Sequence, residues 1–240
     1  MSFMEWFIPE PLPLGNRFFR STRRRSQVAI RRSWGKVRAL FMISAFLFDI
    51  GNVLLRFDFS LALRKLAAES GVHDPGAVLA RIERVKEAYE DGRIARAEFL
   101  RQTREVLGYR GSDEGFIAAW EEIFEPNAPM LALVERLHGR FPLYLLSNTS
   151  DIHREYVFRR YPVFSRFTAG TYSYAVRASK PGAEIYQHAI RAHGLEPGRT
   201  FFIDDLLPNI ETARAMGFRA HHYHHERHGE LEKELAGLGI

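Results

Sequence analysis

The spacing of apolar residues changes several times along the chain, and the most informative change lies between residues 44 and 58. A continuous apolar run, Ala45 to Phe48, ends at Asp49, and Gly51-Asn52 follows closely. Continuous apolar residues bounded by turn residues predict a strand buried on both faces, as in a parallel sheet. A carboxylate directly after such a strand lies where open α/β sheets bind ligands. Asp49 is therefore a candidate functional residue, although the same residue type also begins ordinary turns.

After Asp58 the apolar residues recur at helical spacing. The spacing predicts four helices, at about residues 61–67, 75–91, 95–107 and 113–124, with Ser112 as the N-cap of the last one. No strand pattern occurs between about residues 60 and 127. We therefore expect a compact all-helical segment here, with Glu125-Pro126-Asn127 as its exit hinge.

From Pro129 onward, short apolar runs alternate with helical patterns. The predicted strands are residues 143–146, 167–172, 200–203 and 218–223, and the predicted helices are residues 130–137, 152–161, 183–192 and 208–216. Strands that alternate with helices of this length imply crossover connections and a parallel sheet. The predicted fold class is α/β, with a Rossmann-like parallel sheet core and an inserted helical segment.

The composition narrows the class of protein. The 240 residues are 46% hydrophobic and 26% charged, which is ordinary for a globular protein. The absence of cysteine excludes a disulfide framework, thiolate-bound zinc and a thiol nucleophile, and it fits a reducing compartment. No apolar stretch reaches the roughly 18 residues of a membrane span. We expect a cytoplasmic protein with no membrane partner.

The net charge of +5 is concentrated at the start of the chain. Residues 1–40 hold nine basic and two acidic residues, so the other 200 residues hold 25 basic and 27 acidic ones. The composition of residues 1–41 predicts a basic, disordered extension. A nucleic-acid or membrane-surface arm and a targeting peptide are alternative interpretations. We favour a solvated tail, or translation that begins at Met42, and expect no specific nucleic-acid partner.

Three later segments place further polar residues at predicted strand ends. Ser147-Asn148-Thr149 follows one strand and precedes a helix, where free backbone N–H groups can bind an anion. Lys180-Pro181 lies in a polar loop between two strands, and Asp204-Asp205 follows the strand of Phe201 to Ile203. Each has an ordinary interpretation as well, namely a helix cap for Ser147, Thr149 or one aspartate and a solvated side chain for Lys180.

Taken together, the four strand ends supply the groups needed for phosphoryl transfer through a covalent aspartyl phosphate. Asp49 is the predicted nucleophile, and Lys180 offsets charge on the phosphoryl oxygens. Ser147, Asn148 and Lys180 are predicted to bind the substrate. Adjacent carboxylates repel each other unless a cation is present, and hard carboxylate oxygens suit Mg²⁺. The predicted cofactor is Mg²⁺, and the predicted partner is a small phosphorylated metabolite.

The ordered set of motifs resembles the haloacid dehalogenase-like hydrolase superfamily over about residues 42–223. The motifs are Phe48-Asp49-Ile50-Gly51-Asn52-Val53, Leu146-Ser147-Asn148-Thr149, Ser179-Lys180-Pro181, and Ile203-Asp204-Asp205 with Asn209 and Gly217. Asp-Ile-Gly-Asn, Ser-Asn-Thr and Lys-Pro with Ile185-Tyr186-Gln187-His188 look most like the branch that contains α-glucose-1-phosphate phosphatases. The resemblance implies a mobile, all-helical cap domain at residues 59–127, and a discontinuous core of residues 42–58 and 128–240. It also implies that Asp49, the backbone carbonyl of Gly51 and Asp205 bind Mg²⁺, with Asp204 assisting or in the second shell.

One position departs from the superfamily pattern. Most phosphatases that the chain resembles carry a second Asp two residues after the nucleophile, as the acid for the leaving oxygen, whereas this chain has Gly51. Asp58 or a residue of the cap is a possible substitute acid, and Asp58 is also a candidate for a solvated turn residue. A 2-haloacid dehalogenase using Asp49 without metal is the alternative function, because halide leaves without a proton. A non-catalytic regulator that binds phosphorylated ligands is a distant third.

Two further groups of residues invite a functional interpretation. Five histidines between residues 221 and 228 have no spacing typical of a zinc site, and we expect them at a strand end and on the surface. Tyr89, Trp120 and Phe124 are candidates for lining the substrate site, although aromatic residues at helical spacing more often form core. The expected oligomeric state is a monomer or a homodimer.

Overall fold

The computed structural model describes residues 42–72 and 74–240, so the prediction for the extension, residues 1–41, lies outside the described residues. Within the described ranges the chain forms seven strands and ten α-helices. The strands are β1 (Ala45–Phe48), β2 (Leu55–Phe57), β3 (Phe124–Pro126), β4 (Leu143–Ser147), β5 (Ala169–Tyr172), β6 (Thr200–Asp204) and β7 (Arg219–His222). The helices are α1 (Phe59–Ala68), α2 (Pro75–Glu90), α3 (Arg96–Leu107), α4 (Asp113–Glu121), α5 (Ala128–Leu137), α6 (Asp151–Arg160), α7 (Ser173–Val176), α8 (Ala183–His193), α9 (Leu207–Ala215) and α10 (His228–Gly237).

Five of the strands form one parallel sheet in the order β5-β4-β1-β6-β7. β1 lies in the middle, and all four of its residues are buried. Phe48 pairs with Leu145 on one side and with Ile203 on the other, so the residues that follow these strands lie side by side. The predicted α/β fold with a Rossmann-like parallel sheet is confirmed.

Both faces of the sheet are covered by helices, which explains the continuous apolar runs of its strands. Phe46 and Phe48 pack in one hydrophobic cluster, and Ala45 and Leu47 pack in another on the opposite face. Side chains alternate along β1, so they contribute to two hydrophobic cores, one on each face of the sheet, rather than to one core and one solvent-exposed face.

The two remaining strands correct one prediction. β2 and β3 pair antiparallel, with Leu55 opposite Pro126 and Phe57 opposite Phe124, so the expectation of no strand between residues 60 and 127 was wrong. Three residues per strand are too few for a period of two to be visible. The exposed residues Arg56 and Glu125 form an ion pair in this two-stranded ribbon of β2 and β3, and they give its sequence the polar character of a turn.

The ribbon encloses a helical insert, residues 59–123, formed by α1 to α4. The insert has a hydrophobic cluster of its own, in which Leu66, Ile82 and Phe116 are fully buried. Ser112 caps α4 as predicted, because its side chain accepts a hydrogen bond from the Gly115 N–H. α4 ends at Glu121, three residues earlier than predicted, and the chain then enters β3.

The insert contacts the rest of the chain at the carboxyl end of α2. The Ser173 hydroxyl donates a hydrogen bond to the Glu90 carbonyl at 2.6 Å. The Ser179 hydroxyl donates to Asp91 Oδ1, also at 2.6 Å. These bonds place the end of α2 beside the loop that carries Lys180.

Beyond β7, the chain forms α10, for which the apolar pattern predicts no element. The expectation that the histidine cluster lies on the surface was wrong for His221, which is buried and has Nδ1 2.6 Å from Glu234 Oε2. His222 is exposed, and its Nε2 donates to the Asp205 carbonyl at 2.8 Å. In the ranges that the structure describes, no helix has the combined length and apolarity that crossing a bilayer requires.

His153 of α6 is buried where the sheet domain contacts the helical insert. Its Nε2 lies 3.0 Å from the Trp120 carbonyl, which can only accept, so this nitrogen carries a proton. Its ring also stacks on the Trp120 indole, with ring centroids 5.7 Å apart. Burial lowers the pKa of His153 from 6.5 to about 4, more than the bond to Trp120 raises it. The imidazole is therefore neutral at pH 7.

This neutral histidine predicts a pH-dependent stability. The unfolded chain binds a proton at this site below pH 6.5 and the folded chain only near pH 4, so the contribution is fully present above pH 6.5 and is lost as the pH falls toward 4. We expect His153→Gln to reduce the fall in unfolding free energy over this range by about 2 to 3 kcal/mol, measured by urea unfolding at a series of pH values. His224→Gln, at an exposed histidine, is the control and should keep the wild-type pH dependence. An unchanged pH dependence in His153→Gln would contradict the assignment.

Candidate active site

The carboxyl ends of β1 and β6 bring three carboxylates together. Asp49 follows β1 directly, Asp204 ends β6, and Asp205 comes next. One oxygen of each carboxylate lies within 4.8 Å of the other two. Asp49 and Asp204 are buried, and Asp205 is partly exposed. The pairing of Phe48 with Ile203 accounts for this convergence, because it aligns the next residue of each strand.

The Lys180 ammonium lies between two of these carboxylates. Its Nζ is 2.8 Å from Asp49 Oδ1 and 2.6 Å from Asp204 Oδ2, and only 2% of the Lys180 side chain is exposed. The contact with Asp204 has hydrogen-bond geometry, whereas the contact with Asp49 is a close ion pair outside that geometry. Lys180 therefore holds the predicted nucleophile mainly by charge.

Asn148 positions the loop that carries Lys180. Its Oδ1 accepts the Lys180 backbone N–H at 2.9 Å, and its Nδ2 donates to the Lys180 carbonyl at 2.8 Å. The sequence predicts Asn148 as a substrate-binding residue; in the structure its amide bonds the backbone of the lysine, and the residue also lines a cavity between the sheet and the helical insert. Ser147 lies at the end of β4, next to Asn148, and lines the same cavity as Gly51.

The two adjacent aspartates have different surroundings. Asp204 Oδ1 accepts from the Leu206 N–H and the Asn209 side chain, while its Oδ2 accepts from Lys180. Asp205 accepts only from the Asn52 side chain, at 3.1 Å, among the described residues. Asn52 has a left-handed backbone with φ of 53°, which asparagine tolerates better than most residues and which aims it toward Asp205.

The donor set fits a divalent cation. Asp49 Oδ1 is buried and contacts the Lys180 ammonium outside hydrogen-bond geometry, and the Asp205 side chain accepts one hydrogen bond among the described residues. When all three carboxylates are ionised, the single ammonium leaves this cluster with two negative charges in excess. Mg²⁺ sites typically contain few protein oxygens, because the ion retains water ligands and takes up substrate phosphate. The partly exposed carboxylate of this cluster fits such a site. Asp49 and Asp205 are the carboxylates available as ligands, whereas Asp204 already has both oxygens bonded.

The titration behaviour of the cluster reflects the same excess of negative charge. Burial raises the pKa of Asp49 to about 7, with Lys180 opposing this shift and Asp204 and Asp205 adding to it. Burial also raises the pKa of Asp205. For Lys180, burial lowers the pKa, but the attraction of Asp49 and Asp204 more than compensates, so the amine stays protonated.

A cavity of about 120 Å³ opens between the sheet and the helical insert, where Ile50 and Gly51, the two residues after Asp49, line it. The sheet side supplies Ile50, Gly51, Ser147, Asn148, Thr149 and His153. The ribbon and the insert supply Phe57, Phe59, Lys86, Glu90, Ile123 and Phe124. Of the three aromatic residues considered from the sequence, Phe124 lines the cavity, whereas Tyr89 and Trp120 are buried in the core of the insert.

Lys86 and Glu90 are cavity residues that the sequence reasoning missed. They form an ion pair of 2.7 Å across one turn of α2, and both side chains are 20% exposed. Oppositely charged residues four apart on a helix are typical of solvated surface pairs, so the sequence gives no reason to single them out. The signal that could have identified them is indirect: both residues lie on α2, whose carboxyl end contacts Ser173 and Ser179.

Asp58 does not fit the role of substitute acid. It caps α1, with Oδ1 accepting the Ser60 N–H at 2.8 Å and Oδ2 accepting the Ser60 hydroxyl at 2.9 Å. These bonds lower the pKa of Asp58, which is exposed and not among the residues lining this cavity. Asp58 is therefore the solvated residue that the sequence offered as its other interpretation.

Several known proteins are similar to this chain. A D-ribitol-5-phosphate phosphatase of Bacteroides thetaiotaomicron is 26% identical over 74% of this chain and 90% of its own. A sesquiterpene phosphatase of Aspergillus oryzae is 24% identical over 72% of this chain and 86% of its own. The crystal structure of a haloacid dehalogenase-like enzyme of Bacteroides thetaiotaomicron, in complex with magnesium and inorganic phosphate, is similar with a TM-score of 0.65 and 29% identity. That similarity covers 75% of this chain and 93% of the other.

The sequence model of one family also matches the chain. The match spans residues 43–217, and the family is described as haloacid dehalogenase-like hydrolase. This span includes β1, the helical insert and the segments of Ser147, Lys180 and Asp205, so the resemblance that the motifs indicate is confirmed at the level of the family. The chain belongs to the haloacid dehalogenase-like hydrolases.

Proposed function

We propose that this hydrolase is a Mg²⁺-dependent phosphatase of a small phosphomonoester, which it cleaves through an aspartyl phosphate on Asp49. The observation that carries the proposal is the arrangement around Asp49. The Asp49 carboxylate is buried, its Oδ1 lies 2.8 Å from the Lys180 ammonium, and it belongs to the same cluster as Asp205. This arrangement suits a nucleophile that attacks phosphorus among charges of both signs.

In the proposed reaction, an oxygen of Asp49 attacks phosphorus while the alcohol of the substrate leaves. Lys180 remains protonated and offsets negative charge on the phosphoryl oxygens. Ser147, which lines the cavity between the sheet and the helical insert, would supply a hydroxyl donor. Asp49, Asp205 and the Gly51 carbonyl would bind Mg²⁺, with Asp204 in the second shell. The metal would stabilise charge on the transferring phosphoryl group. Water then attacks phosphorus and releases Asp49.

The helical insert acts as the cap in this proposal. Its α2 and the ribbon cover the cavity that Ile50 and Gly51 line, and the ribbon strands are the connections between the cap and the core. The proposed boundaries are residues 59–127 for the cap and residues 42–58 and 128–240 for the core. The cap contributes apolar rings and the Lys86–Glu90 pair, so it would select the alcohol part of the substrate.

The substrate class is proposed from the cavity and supported by the relatives. A volume of about 120 Å³ suits a small ester, and an ammonium paired with a carboxylate can bind hydroxyl groups, which both donate and accept. A D-ribitol-5-phosphate phosphatase is among the similar proteins. We therefore propose a sugar phosphate or a sugar-alcohol phosphate. A cytoplasmic location and a monomeric or homodimeric state stay predictions.

The first prediction concerns the nucleophile and the metal. We expect phosphate release from at least one member of a panel of sugar and sugar-alcohol phosphates, supported by Mg²⁺ and abolished by EDTA. Asp49→Asn should lower turnover by at least about 10³-fold, because an amide cannot form the covalent intermediate. Inductively coupled plasma analysis and titration calorimetry of the resting protein would measure Mg²⁺ binding separately from activity.

Two results would contradict the phosphatase function, and a third would contradict the role of Asp49. One is the absence of turnover on every phosphate in the panel. The other is halide release from a 2-haloacid that is insensitive to EDTA, which would assign the chain to the alternative dehalogenase function. Equal activity of Asp49→Asn and wild type would remove Asp49 from the reaction.

The second prediction concerns Asp58. Asp58→Asn preserves the cap of α1, since asparagine and aspartate cap helices about equally well, and should leave both stability and turnover unchanged. Asp58→Ala should cost about 1 kcal/mol of unfolding free energy, also without loss of turnover. Chemical unfolding and kcat/KM on the best substrate of the panel measure the two effects. A selective loss of turnover in Asp58→Asn would restore Asp58 as a substitute acid.

A further inference from the structure

The absence of an acid at position 51 leaves one step of the proposed reaction without a residue. An alkoxide is a poor leaving group, so the oxygen that departs from phosphorus needs a proton. Gly51 carries no side chain, and a Cβ built there would lie 2.9 Å from the ring of Phe57. The aromatic ring that lines the cavity therefore lies where an acidic side chain would begin.

Three titratable side chains line this cavity: Lys86, Glu90 and His153. His153 is excluded as the acid, because burial keeps it neutral and its Nε2 proton is bonded to the Trp120 carbonyl. Lys86 is the partner of Glu90 at 2.7 Å and also lies over the ring of Phe59, 5.3 Å from its centroid. Glu90 is the remaining carboxyl group, and it shares the cavity with Gly51 and Ser147.

The position of Glu90 is fixed by bonds that connect it to the catalytic loops. The Ser173 hydroxyl donates to the Glu90 carbonyl at 2.6 Å and accepts the Thr149 N–H at 3.0 Å. The next residue, Asp91, accepts a hydrogen bond from Ser179, which directly precedes Lys180. Glu90 is thus connected both to the loop of Ser147 and to the loop of Lys180, although it belongs to the helical insert.

We propose that Glu90 is the catalytic acid and base of this hydrolase, in place of the residue absent at position 51. The inference rests on the proposed phosphatase function. As Asp49 attacks, the bond between phosphorus and the leaving oxygen breaks, its electron pair moves to that oxygen, and the Glu90 carboxyl donates its proton to it. The Glu90 carboxylate then accepts a proton from the water that attacks phosphorus. The bond from phosphorus to Asp49 breaks, and Glu90 is protonated again.

The surroundings of Glu90 suit both halves of this cycle. Burial raises the pKa of the Glu90 carboxyl above its ordinary value, more than the Lys86 ammonium lowers it, which favours the acid form before the first step. After proton donation, the ammonium of Lys86 at 2.7 Å stabilises the carboxylate until water is activated. Lys86 is therefore a positioning residue for Glu90.

The test compares two esters of similar size that differ in the leaving group. Benzyl phosphate releases an alkoxide that needs a proton, whereas p-nitrophenyl phosphate releases a stable phenolate that needs none. Neither leaving group carries a hydroxyl, so a loss of hydroxyl binding cannot produce a difference between them. The readout is kcat/KM, which reports phosphoryl transfer to Asp49, for wild type, Glu90→Gln and the control Glu87→Gln. Glu87 lies on the same helix with an exposed side chain.

We expect Glu90→Gln to lower kcat/KM for benzyl phosphate by about 10² to 10⁴-fold and for p-nitrophenyl phosphate by less than tenfold. Glu87→Gln should keep the wild-type ratio of the two esters. The ratio within one preparation does not depend on the folded fraction, so partial misfolding of a variant cannot imitate the result.

Equal losses on both esters, or no loss on either, would overturn the role of Glu90 and leave the phosphatase function intact. Wild-type turnover of p-nitrophenyl phosphate without turnover of benzyl phosphate would also overturn it, because no acid would then assist an alkoxide. Wild-type inactivity on both esters and on the sugar-phosphate panel would contradict the proposed function itself.

Discussion

The buried ammonium of Lys180 between Asp49 and Asp204 is the interaction on which the rest of the structure depends. A buried charge is tolerated only when oppositely charged groups are close to it, and here the carboxylates lie 2.8 Å and 2.6 Å away. This contact requires β1 and β6 to be neighbours, so that their carboxyl ends present the two aspartates together. It also requires the loop of Lys180 to reach the same edge, and Asn148 at the end of β4 holds it there.

The same contact connects the sheet to the helical insert. Ser179 precedes Lys180 and bonds Asp91, while Ser173 bonds the Glu90 carbonyl. The end of α2 is therefore fixed to the loops that fix the lysine. This arrangement divides the proposed reaction between two parts of the chain. The sheet supplies the nucleophile and the charges around phosphorus, and the insert supplies the walls of the cavity and the proposed proton donor.

The sequence predicts the three central strands β4, β1 and β6 well because each is a short apolar run that leads into a polar residue. Asp49, Ser147, Lys180 and Asp205 are predicted as one site because parallel strands place their carboxyl ends at one edge. The ribbon of β2 and β3 was missed because three-residue strands with exposed Arg56 and Glu125 show no alternation. α10 was missed because its buried face consists of only Leu231 and Leu235.

The cavity is the part of the site that could not be predicted from the sequence. Lys86 and Glu90 have the spacing of a solvated ion pair, and only the packing of α2 over the sheet shows that they line the same cavity as Gly51. For Tyr89 and Trp120 the reverse holds: the sequence offers them as candidates for binding substrate, and the structure places them in the hydrophobic core of the insert. Which face of an inserted helix meets a site depends on tertiary contacts such as those of Ser173, and these have no local pattern.

The most direct test of the central claim is the identification of the residue that carries the phosphoryl group during turnover. Acid quenching of the enzyme with p-nitrophenyl phosphate and Mg²⁺, followed by digestion and mass spectrometry, would locate it. The account predicts one phosphoryl group on Asp49 in wild type and none at that position in Asp49→Asn. A phosphoryl group on another residue, or phosphate release from an enzyme that is never phosphorylated, would contradict it.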